Sequence, residues 1–245
     1  LDDIADGEEE LDLKKKKFLT FKKEFENKIF SNKIIKNIHL LLEEENISHE
    51  IINDLFRGVE SDLAYEVNLK TKKDLLIYSY QVAGTVGIMV AKILKIKDRQ
   101  SLECAVDLGV AMQLTNIARD VVEDKKKNRS YTKQDFSSIK ETIILADIFY
   151  QSSFPAIKNI PFFSRFAILV ARRLYKKIGT EILNQKNIET YNNAGKIYVS
   201  IFYKIMETFL SFFDFLRLFF INSNKYEKHN EHIMLYKEIN LDEKF

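Results

Sequence analysis

AVDLGVAMQLTNIARDVVED, residues 105–124, is the stretch on which the fold turns. Wound as an α-helix of about 3.6 residues per turn, it sets Gln113, Asn116, Asp120 and Asp124 on one narrow stripe, with Gly109 above them. The rest of the circumference is Val110, Ala111, Leu114, Ile117, Ala118, Val121 and Val122, with Thr115 the main exception. A helix that is apolar almost all round is buried. Buried carboxylates are costly unless they are paired or hold a cation. One resolution is an internal, water-filled cavity. The other is a polar seam between two helices, with Arg119 paired to Asp120 or Glu123.

Under the cavity reading the donors are all oxygens, which suits Mg²⁺, or Mn²⁺ as the alternative, and not zinc. Asp120 and Asp124 are one turn apart, about 6 Å along the axis. Mg²⁺ prefers one or two carboxylates together with substrate phosphates. The stripe therefore suits a phosphorylated substrate, with Arg119 at its edge as a phosphate fork. A second acidic group opens the chain: Leu1-Asp2-Asp3-Ile4-Ala5-Asp6-Gly7 sets Asp2 and Asp6 on one helical face, and Gly7 reads as a helix end. Two carboxylate pairs facing each other could hold divalent ions around a diphosphate and help its C–O bond ionise.

These residues carry a resemblance. Asp2-Asp3-Ile4-Ala5-Asp6 resembles the first aspartate-rich motif of the squalene/phytoene synthase family. Tyr80-Gln81-Val82-Ala83-Gly84-Thr85-Val86-Gly87 resembles its Tyr-x-Val-Ala-Gly-x-Val-Gly signature. Leu108 to Asp124 resembles its second aspartate motif, and Arg129-Ser130-Tyr131 the Arg-x-Tyr-x-Pro tail of that motif. The wording is nearest to bacterial phytoene synthases. Three departures stand out: Lys133 replaces the tail proline, Lys196 stands where arginine is common, and the chain begins inside the first motif. The resemblance implies family helices ahead of Leu1, including an arginine just upstream of the motif.

It further implies an all-α, single-domain isoprenoid-synthase bundle around a central cavity, spanning residues 1–245. Asp2, Asp6, Asn116, Asp120 and Asp124 would hold Mg²⁺. Tyr80, Arg119, Asp120 and Asp124 would carry the chemistry. Val82, Ala83, Gly84, Gln113, Asn116, Arg119, Arg129 and Tyr131 would bind substrate. The implied reaction joins two prenyl diphosphates head to head, giving phytoene from two geranylgeranyl diphosphates. The runner-up is squalene or dehydrosqualene from farnesyl diphosphate. A non-catalytic assembly factor of the same fold is the reading from a different class.

The remaining sequence agrees. Two prolines and seven glycines in 245 residues are few, and apolar residues recur at helical spacing. The net charge of +2 comes from interleaved acids and bases, so nothing points to nucleic acid. A single cysteine, Cys104, excludes an internal disulfide and fits a reducing, cytoplasmic compartment. No glycine-rich phosphate loop follows a strand, although a helical enzyme can bind a nicotinamide otherwise. The lysine runs 14–17 and 125–127 read as solvated faces, and the four histidines as surface or filler residues.

Helices are expected near 8–29, 31–45, 48–66, 72–92, 99–127, 138–151, 162–186, 194–222 and 225–238. Thr71 with Asp74, and Asp98, are the expected N-terminal caps of the fourth and fifth. In the fourth, Ala83, Gly84 and Gly87 offer either a tight helix crossing or room for a prenyl chain beside Tyr80, with Tyr78 the other candidate tyrosine. Asp62, on Gly58-x-x-x-Asp62, reads as either a surface acid or a cavity group. Ile201–Ile221 carries one polar stripe, Lys204, Glu207, Ser211 and Asp214, opposite a wide Phe/Leu face. It reads first as a core-packing helix. Its alternative is peripheral membrane contact, suited to a hydrocarbon product.

Overall fold

The computed structural model describes residues 4–5, 7, 9–221 and 228–244. Asp2 and Asp6, the first acidic pair, lie outside them. In chain order the helices are α1 (Leu11–Glu26), α2 (Lys33–Glu44), α3 (His49–Asp62), α4 (Lys72–Ser79), α5 (Thr85–Ile93), α6 (Arg99–Lys126), α7 (Phe136–Ser153), α8 (Phe162–Leu183), α9 (Ile188–Ala194), α10 (Ile201–Arg217) and α11 (Asn230–Glu238). Among the described residues the fold is all-α apart from two-residue strands β1 (Val67–Asn68) and β2 (Arg129–Ser130).

The quoted stretch lies in α6, 28 residues and about 42 Å long. Val106, Val110, Ala111, Leu114 and Ala118 are fully buried, so this helix is the axis on which α5, α7 and α8 pack. Thr115, its polar exception, donates to the Ala111 carbonyl at 2.9 Å and meets the Tyr150 hydroxyl at 3.0 Å. The expected caps are present: Thr71 and Asp74 form a capping box on α4, and Asp98 accepts from the Ser101 N–H at 2.9 Å on α6.

Helices α4 and α5 form one continuous wall, joined by a wide π-helical turn at Tyr80–Gly84 that propensity does not announce. Glycine lets this wall meet α6 backbone to backbone. A Cβ on Gly87 would collide with the Ala105 carbonyl, and one on Gly109 with the Ala83 carbonyl. Gly84 has the Tyr80 ring and Val106 in the place where its Cβ would be. The small residues therefore serve a tight crossing.

Three expected helices are corrected. The 48–66 helix stops at Asp62, because the chain turns into β1, which pairs in parallel with β2 (Val67 with Arg129, Asn68 with Ser130). Asn128 at φ 56° makes the turn from α6 into β2. The 194–222 helix starts only after the Ser200 cap and ends at Arg217, and the chain before it forms a separate short helix, α9, that ends at Ala194 with Gly195, φ 63°, as its cap. Only residues 230–238 of the 225–238 helix are helical among those described.

Helix α10 packs the other way round from a core-packing helix with an exposed polar stripe. Glu207 and Ser211 are buried, and Arg173 of α8 donates to Glu207 at 2.8 Å and to Asp214 at 2.7 Å. The ion-paired stripe thus faces the protein, and Phe202, Phe209, Phe212 and Phe213 are exposed. Two histidines are likewise interior. His39 stacks on Phe25, and His232 lies between Ser152 (3.0 Å) and Asp107 (3.3 Å), tying α11 to the core.

Candidate active site

Two chambers meet inside the bundle. The polar one, about 630 Å³, is lined by Asp62, Tyr78, Arg119, Asp120, Asp124 and Arg129 among others. The apolar one, about 400 Å³, runs between α5, α6 and α8 past Ala83, Val90, Leu108, Met112, Ile157 and Ile168. Val82, Val86, Gln113 and Asn116 line both, so the two form one cavity with a charged end and a hydrocarbon end.

The α6 stripe supplies the charged end as its spacing requires. Gln113, Asn116, Arg119, Asp120 and Asp124 all line it. The Asn116 amide nitrogen donates weakly to Gln113 at 3.4 Å, and its Oδ1 is buried with no hydrogen-bond partner among the described residues. Burial first, and then the charge of Asp120, push the Asp124 carboxyl up to about 7. An orphaned amide oxygen in the same chamber as a carboxylate raised by burial and by a like charge fits a hard cation, which would satisfy the first and lower the second. Among the described residues no three His, Cys, Asp or Glu side chains gather as a metal site.

Arg119 spends its fork on its neighbour, donating Nε and Nη2 to the two Asp120 oxygens at 2.7 and 2.6 Å. The pairing that the spacing left open is therefore present, but inside a cavity and not in a closed seam. Tyr191, which the motif reading passed over, donates to the Ala118 and Arg119 carbonyls and anchors this part of α6 to α9. Lys196 reaches the same end, 2.9 Å from Glu123 and 3.6 Å from Asp120.

The parallel bridge places the tail of the motif. It brings Arg129 within 3.0 Å of the Asp62 carbonyl, and the Tyr131 hydroxyl within 2.6 Å of Asp62 Oδ1. Tyr78 donates to Asp62 Oδ2 at 2.9 Å, and its ring stacks on Tyr131 at 4.6 Å between centroids. Burial, with the Asp62 charge second, raises both phenols far above the ordinary tyrosine range, so both stay protonated.

Two expected site residues are corrected here. Tyr80 does not line the cavity: its hydroxyl donates to Asp54 at 2.8 Å on the far side of the wall, beside Lys244. Gly84 lines neither chamber, because it is spent on the crossing with α6. Ala83 and Val82 do face the cavity.

A model of the squalene/phytoene synthase family matches residues 1–137, more than half of the chain. The chain belongs to the squalene/phytoene synthase family. Among relatives within it, the chain is 32% identical over 166 residues to a 15-cis-phytoene synthase of Enterobacter agglomerans, covering 58% of this chain and 56% of that protein. It is 35% identical over 147 residues to a 15-cis-phytoene synthase of a Paracoccus species, covering 53% and 48%. The chain spans about half the length of the curated relatives it matches.

The fold agrees with family membership. A dehydrosqualene synthase solved with a ligand superposes with a TM-score of 0.68 at 23% identity, covering 88% of this chain and 82% of that one. A squalene synthase from Alicyclobacillus acidocaldarius gives 0.59 at 16% identity, covering 75% and 78%.

Proposed function

We propose that this family member joins two prenyl diphosphates head to head, as a Mg²⁺-dependent prenyltransferase. The observation that carries the reading is the joining of a carboxylate- and arginine-lined chamber to an apolar one through Val82, Val86, Gln113 and Asn116. An amphiphile with a diphosphate head and a long apolar tail matches that division. The names of the relatives favour two geranylgeranyl diphosphates and a phytoene product. Farnesyl diphosphate with a squalene-type product is the second reading.

Asp120, Asp124 and Asn116 would hold the cation, with Asp2 and Asp6 as the second acidic pair. A bound Mg²⁺ or Mn²⁺ neutralises the departing diphosphate. Arg119, Arg129 and Lys196 supply further positive charge around the diphosphate. Ala83, Leu108 and Met112 surround the chain with hydrocarbon and keep water from the allylic cation. The double bond of the second molecule attacks that cation. Loss of one proton closes a cyclopropane, which later ionises and rearranges.

The same proposal sets the outer face of α10 on an anionic bilayer, where a hydrocarbon product would leave. The acids of α10 are turned inward to Arg173, while Lys204 and Arg217 are exposed among its phenylalanines.

The test is incubation of the full-length protein with Mg²⁺ and either farnesyl or geranylgeranyl diphosphate, with the hydrocarbon identified by mass. Release of diphosphate with a coupled product of doubled chain length supports the reading. Neither diphosphate release nor coupled product from either substrate would favour the non-catalytic alternative.

A further inference from the structure

Away from the cavity, one buried group is left unused by the proposed reaction. His39 of α2 is 3% exposed, and its Nδ1 has no hydrogen-bond partner among the described residues. Its Nε2 lies 3.0 Å from the Phe25 carbonyl. A carbonyl only accepts, so Nε2 carries the proton and Nδ1 keeps a bare lone pair. A buried lone pair without a partner is costly. The ring is held against Phe25, 4.4 Å away and within 19° of parallel, with Phe30 edge-on at 5.4 Å. None of these residues lines either chamber.

A second imidazole stands beside it. His49, the first residue of α3, has its ring 5.3 Å from that of His39 and 6.0 Å from that of Phe25. Phe25 covers one face of His39. A ring on the opposite face would lie about as far from Phe25 as the two separations together, so His49 is at the edge of His39 and not over that face. Two imidazoles on one tetrahedral ion, with metal–nitrogen bonds of about 2.0–2.1 Å, have ring centres roughly 5 Å apart. Desolvation first, and then His39 and Lys28, hold the His49 imidazole below its ordinary range, with Glu43 acting the other way. His49 is thus available as a neutral ligand.

We infer that His39 Nδ1 and the His49 imidazole together take one borderline divalent ion, of the Zn²⁺ or Cu²⁺ class. Imidazole nitrogen suits these ions and not Mg²⁺, so this corner differs in chemistry from the acidic stripe of α6. A metal-bound histidine donates its other ring N–H to a carbonyl or carboxylate, which fixes the tautomer, and the Phe25 carbonyl does this for His39. Glu43, one turn after His39 on α2, brings negative charge to the same corner. Water completes the coordination, since no third His, Cys, Asp or Glu side chain gathers on the pair among the described residues. The ion joins α2 to the start of α3, the helix that carries Asp54 and Asp62. The clip is independent of the proposed reaction.

Metal titration of the full-length protein tests the inference. The protein is stripped with chelator and then saturated with Mg²⁺, which fills oxygen-ligand sites and leaves imidazole sites open. Zn²⁺ added in a calorimeter should bind at one equivalent and raise Tm by a few degrees. His49 is exposed at the start of its helix, so His49→Gln should fold as the parent does. That variant should bind Zn²⁺ roughly tenfold more weakly or worse and lose the shift in Tm. Glu43→Gln should weaken binding by less than about threefold. His229→Gln, at an exposed histidine outside this corner, should leave the affinity unchanged.

Cu²⁺ reports on the ligands themselves. Its paramagnetic resonance should show coupling to two imidazole nitrogens in the parent and to fewer in His49→Gln, a signal that a packing role for the two rings would not produce. His39 lies in the core, so His39→Gln is a further check only where it folds, and the His49 variant decides. Absence of Zn²⁺ binding by the Mg²⁺-saturated parent overturns the inference. Binding of equal strength in His49→Gln overturns it as well and assigns the ion to another part of the protein.

Discussion

Tyr78 and Tyr80, two residues apart on one helical wall, donate to carboxylates on opposite sides of it: Tyr78 to Asp62 at 2.9 Å in the cavity, Tyr80 to Asp54 at 2.8 Å outside it. Residues two apart on a helix are separated by about 200° around its axis, so one of the pair had to face away. The two phenylalanine substitutions should therefore separate chemistry from stability. Tyr78→Phe should lower coupled-product formation at least tenfold with a small change in melting temperature. Tyr80→Phe removes one of several partners of buried Asp54 and should cost about 1 kcal/mol of stability, with turnover within about twofold of the parent. Product assays and denaturant titrations on both variants check this, and the reverse assignment would restore Tyr80 to the chemistry.

Asp120→Asn and Asp124→Asn should fold and lose most activity, roughly a hundredfold, because the lost charge faces the cavity and not a packed core. Turnover is measured at limiting Mg²⁺. A parental rate in either variant would falsify the metal assignment.

Arg119 is bidentate to Asp120, and a lysine cannot reproduce that fork. Arg119→Lys should reduce turnover by about tenfold or more. Lys125, exposed just past the stripe, should matter little when changed to alanine beyond a salt-dependent effect on substrate capture. Equal effects of the two changes would count against a phosphate-binding role for Arg119.

The raised carboxyl of Asp124 makes stability depend on pH. Its folded value is about 7 against 3.8 for the free group, so the folded state holds a proton that the unfolded state releases. Stability therefore falls as pH rises between about 4 and 7. In chelator-treated protein, Asp124→Asn should melt with the parent near pH 4 and a few degrees above it near pH 8. Thermal melts across that range measure the difference. A parent as stable as the variant at both ends would mean that Asp124 is not buried beside a like charge.

Phe209 and Phe213 lie on the exposed face of α10. Changing both to serine should alter stability by less than about 0.5 kcal/mol each. The double variant should leave vesicles containing anionic lipid that retain the parent, as flotation would show. A parent that does not bind those vesicles, but is dimeric where the double variant is monomeric, would assign this face to a second copy of the chain.

Local order is legible in the sequence alone. The stripe Gln113–Asp124, the caps at Thr71 and Asp98 and the crowding of small residues at 83–87 follow from helical phase and from which side chains tolerate burial. Those rules act within one turn or one helix. The family followed from the motifs for the same reason, since each motif is a contiguous run.

Which side of an element meets which partner is set by packing between elements. The signature points to Tyr80 with Tyr78 as the other candidate, and α3, which carries both Asp62 and Asp54, reverses them: Tyr78 meets Asp62 in the cavity and Tyr80 meets Asp54 outside it. The polar stripe of α10 looked solvent-facing until Arg173, 34 and 41 residues earlier in the chain, turned its acids inward. Asp62 joined the site through a two-residue parallel bridge that no periodicity announces, because its pairing energy comes from residues 129–130 and not from its neighbours. Side-chain phase is a property of the helix. The partner that makes one phase favourable lies on another element, and only the folded chain brings it there.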